Sequence, residues 1–389
     1  MPLILSSQNA VSYLKQRQIC AVDSQLAQPI TPEEYKNFNL VVKFADGSNY
    51  LVKQERFDGM GKPIGRLRYE WIIHLFFQRF TQLDSVKNSI SQAVYFDKEN
   101  RILVLKYFSE HTDLFRFYLS RSYYTDRVFP VDVAEAIGAN LGLIHQLTFA
   151  QSESKEFLNQ LFTEHNISEC DLQAKPNFVE KLAKFSPEIF AYICPESLEF
   201  FKLYQRFPSL HQAVNKLHQN YQAVCLTHQD LRLGNYLIHD SGASNSLKLI
   251  DWEFFAWGDP AFDLGTAIAN YLKLWLASLY VDRDTDLNVA LSLATCPLER
   301  VQPSLKALIQ SYLIKFPRIL AVRPHYIEQV VQFAGLNLVK HLQHSAEHHQ
   351  PFDNRGICAL QVAKSLLCYP EQSIETIFGV KSSELITDS

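Results

Sequence analysis

No sign of charge dominates this sequence. Lys and Arg number 37 against 41 Asp and Glu, a formal charge of −4. That balance leaves no polybasic footprint, so nucleic acid and anionic membranes are not expected partners. Paired cysteines are also missing. The seven (Cys20, Cys170, Cys194, Cys225, Cys296, Cys358, Cys368) are scattered, odd in number and without any C-x-x-C. This excludes a disulfide scaffold or a thiol metal site, and fits reduced thiols in a cytoplasmic protein. No apolar run is long enough to cross a membrane: residues 271–277 are interrupted by Lys273 and read as a buried helix. The start, Met1-Pro2-Leu3-Ile4-Leu5-Ser6, has no basic region ahead of its apolar residues, so no signal peptide is expected. Repeats and low-complexity linkers are absent too.

What is present is a full core and one dense motif. With 389 residues and 47% apolar content, the chain can build a two-lobed unit or two ordinary domains. Thr227-His228-Gln229-Asp230-Leu231-Arg232-Leu233-Gly234-Asn235 is followed by Leu249-Ile250-Asp251-Trp252-Glu253. Between them, 236–239 and 247–250 read as the arms of a hairpin whose turn, 240–246, is rich in Asp, Ser, Gly and Asn. Cross-strand neighbours lie about 5 Å apart, so Asn235 and Asp251 converge at the open end of that hairpin. An amide oxygen beside a carboxylate suits Mg²⁺ with bound phosphates. Asp230, on the same loop as Asn235, is placed to accept the proton of an attacking hydroxyl. Singly, each piece has an ordinary reading: His228 as a packed loop histidine, Asp251 as a strand-end turn former. The ordered set H-x-D-x-x-x-x-N, hairpin, apolar strand, Asp is the informative signal, and it follows the order of the catalytic elements of protein kinases.

On these residues the chain resembles the aminoglycoside phosphotransferase and choline kinase group of small-molecule phosphotransferases, which have a protein-kinase-like fold. His228 to Asn235 resembles their "HGDLHPGN" loop. Ile250-Asp251-Trp252-Glu253 with Gly258-Asp259-Pro260-Ala261-Phe262-Asp263-Leu264 resembles their "IDWE…GDPxxDLA" segment. The resemblance implies an α+β bilobal fold: a small antiparallel β lobe with one key helix (1–108), then a mostly helical lobe (109–389). It implies Asp230 as the catalytic base, Asn235 and Asp251 as metal ligands, Asp263 as a tie between the catalytic loop and the next helix, and ATP or GTP with Mg²⁺. The acceptor would be a small molecule with a hydroxyl group. A catalytically silent, ligand- or partner-binding kinase-like module is the alternative.

The first hundred residues read as the nucleotide lobe. Strands 40–44 and 50–54 flank the turn Ala45-Asp46-Gly47-Ser48-Asn49, and Lys53 sits late in the second. It resembles the V-A-I-K lysine of kinases, though strand lysines are often merely solvated. Leu67, Trp71 and Leu75 recur at helical spacing and put Glu70 in the first turns of the next helix, where kinase-like folds hold the lysine's glutamate. Strands 93–96 and 101–108 follow, the second leading to the hinge. There the resemblance implies purine contacts from the backbones of Lys106 and Phe108, with Leu105 behind them, and Ile250 joins the nucleotide-binding set. Segment 30–39 has no glycine, unlike the G-x-G-x-x-G loop of protein kinases, and this favours the small-molecule branch.

Beyond residue 110 the pattern is mostly helical, with 133–147 a strong helix and 153–221 rich in Phe, Leu and Tyr. No residue-level match exists there. Trp252, Glu253, Trp257 and Asp259 are candidate pocket groups for a cationic amine, or else core packing. His341, His344, His348 and His349 invite a metal reading, or a helix terminus.

Overall fold

The computed structural model describes residues 3–34, 37–120, 129–173, 175, 194–280, 289, 293–348 and 350–386. Positions 35 and 36 of segment 30–39, 174 and 176–193 of the helical stretch 153–221, and His349 lie outside the described residues.

Alternating apolar residues build an antiparallel sheet in the first part of the chain. Its strands are β1 (Thr31–Glu34), β2 (Phe38–Lys43), β3 (Asn49–Gln54), β4 (Ala93–Asp97) and β5 (Ile102–Lys106), in spatial order β1-β2-β3-β5-β4. The β2–β3 turn carries Gly47 at φ +86°, and the Asp46 carboxylate accepts the Ser48 backbone N–H at 2.8 Å. The glycine-free segment 30–39 contributes β1 and the start of β2. One face of the sheet (Leu40, Val42, Val52, Val104) packs under α1 (Ala10–Gln16). The other (Leu51, Leu103, Leu105) meets Leu67 and Trp71 of α2 (Leu67–Arg79). Lys53 lies in register with Leu103, so its side chain leaves the sheet on the α2 face. The α2 N-terminus is capped from β3's end: the Glu55 carboxylate accepts the Leu67 N–H at 2.8 Å. That bond fixes where Glu70 stands.

Two backbone bonds stitch this sheet unit to the rest. Ser91 N–H donates to the Leu249 carbonyl at 2.9 Å, and Leu249 N–H donates to the Ser89 carbonyl at 2.7 Å. Leu249 belongs to a three-stranded ribbon of β6 (His111–Asp113), β8 (Tyr236–His239) and β9 (Lys248–Leu249), order β6-β8-β9. A second small ribbon pairs β7 (Cys225–Thr227) with β10 (Ala256–Gly258).

The remainder is helical and holds the main core. Its largest pieces are α3 (Val131–Thr148), α4 (Pro260–Ala277), α5 (Gln302–Lys315), α6 (Tyr326–Glu347) and α7 (Asn354–Cys368). Helices α3 and α5 touch through Gly138, where an added Cβ would lie 2.0 Å from the Leu308 carbonyl oxygen. Helix α4 starts at an Asp259 cap that accepts the Ala261 N–H at 3.0 Å. From Pro260 to Leu276 every α4 residue is buried except Lys273. No helix among the described residues is long and apolar enough to cross a membrane. The α+β, two-part architecture is the one expected. Boundaries differ: β5 stops at Lys106, so Phe108 lies beyond the strand, and the second hairpin arm is only Lys248–Leu249 because Ser244–Ser246 forms a 3₁₀ turn.

Candidate active site

Two loops and one strand bring the motif residues together. The loop after β7 carries Asp230, Arg232 and Asn235, and it is pinned from below by Asp263 of α4. The Asp263 carboxylate accepts the N–H of His228 at 2.6 Å and of Gln229 at 2.9 Å. Buried His145 of α3 lies 3.5 Å from the same carboxylate. Farther along α4, the Asn270 amide donates to the Leu231 carbonyl at 2.5 Å. The loop therefore hangs from one face of one helix.

His228 closes the link to the second loop. Its backbone-facing Nδ1 accepts the Asp230 N–H at 3.3 Å, so the proton sits on Nε2, which donates to the Ile250 carbonyl at 2.9 Å. The ring packs on Trp252 with centroids 4.5 Å apart. Asn235 and Ile250 are joined as well, the Ile250 N–H donating to the Asn235 carbonyl at 2.9 Å. Gln229 and Asp251 both adopt left-handed backbones, φ 67° and 64°. This conformation costs a non-glycine residue energy and persists only where its surroundings hold it, a pattern concentrated at functional loops.

Lys53 and Glu70 pair, as expected, at 2.9 Å, and the same ammonium contacts Asp251 Oδ1 at 2.9 Å. Although burial opposes it, the two carboxylates outweigh burial and hold Lys53 above its ordinary pKa. Asp251 is held below the usual carboxylate range: burial would raise it, but Lys53, Arg232 and His228 win. Glu70 is pushed up to about 7 by complete burial, against the pull of Lys53. Its Oε1 is buried without a hydrogen-bond partner among the described residues.

Arg232, which sequence reading left unassigned, spans the two acids. Its Nε lies 3.1 Å from Asp230 Oδ2 and its Nη2 lies 3.8 Å from Asp251 Oδ2. The Asn235 amide nitrogen donates to the Asp230 carbonyl at 2.7 Å and to its carboxylate at 3.2 Å. The Asn235 oxygen is therefore the atom left for another partner. Thus Lys53, Glu70, Asp251, Arg232, Asp230 and Asn235 form one connected charged network.

The hinge residues are less uniform. Leu105 is buried against Leu67 and Leu103. The Lys106 N–H donates to the Gln92 carbonyl at 2.8 Å, where β4's approach continues the sheet past Ala93. Phe108 packs near Lys248, whose ammonium stands 5.4 Å from the ring centroid. Ile250 is half-buried between the two loops.

Trp252 and Trp257 are core residues, 1% and 3% exposed, and Glu253 is buried with them. Asp259 is fully buried and held by both terminal nitrogens of Arg323, at 2.7 and 2.9 Å. None of the four is open to a cationic amine. The histidine run follows α6 to its end, with the His344 and His348 rings 4.0 Å apart. No group of three or more His, Cys, Asp or Glu able to hold a metal occurs among the described residues.

Residues 114–294 match the model of the phosphotransferase enzyme family. No curated protein matches. Among solved structures, the chain is similar to an amicoumacin kinase in complex with AMP-PNP, Ca²⁺ and amicoumacin (13% identity, 92% of this chain and 93% of that one, TM-score 0.46). It is also similar to choline kinase LicA from Streptococcus pneumoniae (15% identity, 92% and 98%, TM-score 0.40). A third is macrolide 2′-phosphotransferase MphH from Brachybacterium faecium (12% identity, 94% and 99%, TM-score 0.41). At these identities and scores, none of the three assigns a substrate to this chain.

Proposed function

We propose that this chain, of which residues 114–294 match the model of the phosphotransferase enzyme family, transfers the γ-phosphate of ATP or GTP to a hydroxyl of a small molecule. The observation that carries this reading is the continuous network Glu70–Lys53–Asp251–Arg232–Asp230–Asn235. A silent binding module has no need to hold an acid, an amide and a second acid together on two strained loops.

In this reading residues 1–108 hold the nucleotide and 109–389 carry the catalytic loop and the acceptor pocket. Lys53, oriented by Glu70, meets the α and β phosphates. Leu105 and Ile250 line the base. Phe108 supplies the hinge backbone contact, and Lys106 can add only its carbonyl. The donor set fits a divalent cation: Asn235 has its oxygen uncommitted, and Asp251 is ionised and partly open to solvent. A bound Mg²⁺ would neutralise charge developing on the transferred phosphoryl group. Asp230 orients the acceptor hydroxyl. The acceptor oxygen forms the new O–P bond, the bond from the γ phosphorus to the bridging oxygen breaks, and Asp230 takes the hydroxyl proton late. Arg232 neutralises Asp230 and Asp251 while the phosphates are absent and is free to turn toward them. Seven free cysteines fit a reducing, cytoplasmic setting.

The test is twofold. Melting of the protein with ATP or GTP should rise only when Mg²⁺ is present; ligand at a hundred times its Kd adds about 2.7 kcal/mol. Asp251→Ala should remove that metal dependence and all turnover. Full activity in Asp251→Ala, or no metal-dependent stabilisation in the parent protein, would overturn the assignment.

A further inference from the structure

Strand register lays out the α2 face of the sheet in rows. Val41 stands opposite Leu51, and Leu51 opposite Leu105. Two residues along, Asn39 stands opposite Lys53. Directly opposed residues point to the same face with Cβ atoms about 5 Å apart, and a two-residue step along a strand is about 7 Å. The face therefore passes from Val41–Leu51 to Asn39–Lys53 in one step. In the nucleotide reading the apolar row, with Leu105, meets the base, and the row of Lys53 meets the phosphates. Asn39 stands in that second row, beside the lysine. Asn37, two residues farther back, continues the same face. A Cβ on Gly65 would lie 2.8 Å from its Oδ1 and 2.7 Å from Cγ of Glu55, the residue that caps α2.

Both asparagines lack what a buried amide needs. Each is 7% exposed, as is Lys53. The oxygen of each carboxamide is buried without a hydrogen-bond partner, and among the described residues the nitrogen has none either. Leaving such groups unsatisfied costs free energy, so two on one face have a placement to explain. Their neighbours are committed elsewhere: Lys53 to Glu70 and Asp251, and Glu55 Oε1 to the Leu67 N–H. The backbone of β2 is spent on β1 along one side and on β3 along the other. What β2 has left to offer a ligand at the level of Lys53 is its side chains. A carboxamide carries two N–H donors and one acceptor. The donors suit phosphate oxygens, and the oxygen suits a water that accompanies them.

Resting on the kinase reading above, we propose that Asn39 and Asn37 are ligands of the nucleotide's phosphates. Their NH₂ groups donate to non-bridging oxygens, Asn39 to the one nearest Lys53 and Asn37 to one farther along the chain. Side-chain amides thus cover the phosphates where protein kinases use a glycine-rich loop.

Calorimetry on the whole protein with Mg²⁺ compares nucleoside, monophosphate, diphosphate and triphosphate, in the adenine and the guanine series. Asn39→Ala should bind the nucleoside as the parent does and bind the triphosphate roughly ten- to hundredfold more weakly, the worth of a hydrogen bond to a charged group. Asn39→Ser, which keeps an O–H donor, should recover part of that loss. Asn37→Ala should show a similar loss that sets in later along the phosphate series. Should Asn39→Ala fail to fold, Asn39→Ser and Asn37→Ala carry the comparison. Equal losses for nucleoside and triphosphate would make both residues packing groups, and unchanged triphosphate affinity in the variants would remove them from the site; either result overturns the proposal. A parent protein that binds no triphosphate with Mg²⁺ fails the kinase reading itself and takes the proposal with it, and this registers before any variant is compared.

Discussion

The two sides of the catalytic loop treat charge in opposite ways. On the sheet side, Lys53 sits between Glu70 and Asp251 at 2.9 Å each, and every charge has an internal partner. On the α4–α6 side, burial and Lys340 push Lys273 down to about 8, and burial beside Lys273 pushes His341 down to about 4. Internally matched charges fix geometry; a desolvated charge costs stability. In the proposed reading, the first arrangement is the one that meets the phosphates of the nucleotide.

This contrast can be broken in four ways. The largest effect is expected at the loop both sides share: Asp230→Asn should lower kcat about 10²- to 10⁴-fold with nucleotide binding retained, measured by steady-state kinetics and calorimetry. A near-parental rate would show that the hydroxyl proton goes elsewhere. Next comes a matched pair with no role in transfer. Arg323→Met strands Asp259, which is fully buried, and should cost about 3–5 kcal/mol in chemical unfolding. Third, His74 on α2 is buried next to Ser91 Oγ at 3.2 Å, and burial with nearby Lys53 lowers its pKa to about 3. Between pH 6.5 and 3 the unfolded chain then binds a proton that the folded one refuses. Stability should fall on acidification by up to about 1.4 kcal/mol per pH unit. His74→Gln should flatten that slope in pH-dependent melts. The smallest effect has the opposite sign: Lys273→Met should leave stability unchanged or raise it by about 1 kcal/mol or less, since a desolvated cation is lost. A clear drop in Tm would mean that Lys273 is matched after all.

How much of this was legible in the sequence follows from the range of each interaction. Strands, hairpins and α2 announce themselves through periodicity of two and 3.6, and the Asp230–Asn235 loop through a spacing carried within one motif. Lys53 and Glu70 could be paired because only one turn and a helix start separate them. Lys273 was visible merely as a blemish in an apolar run. Its neighbours come from a loop forty residues earlier and a helix seventy residues later, and no local pattern encodes that meeting. The histidine run was noticed for metal, whereas its place is set by α4–α6 packing. The strand that holds Lys106 was foreseen, but which neighbour takes its N–H depended on how far β4's approach extends.

The paired backbone bonds between 89–91 and Leu249 have a mechanical consequence. They stitch the segment entering β4 to the strand that leads straight into Asp251. Asp251 stands two residues from this seam, so a substitution that breaks either amide contact should also disturb the contact between Asp251 and Lys53.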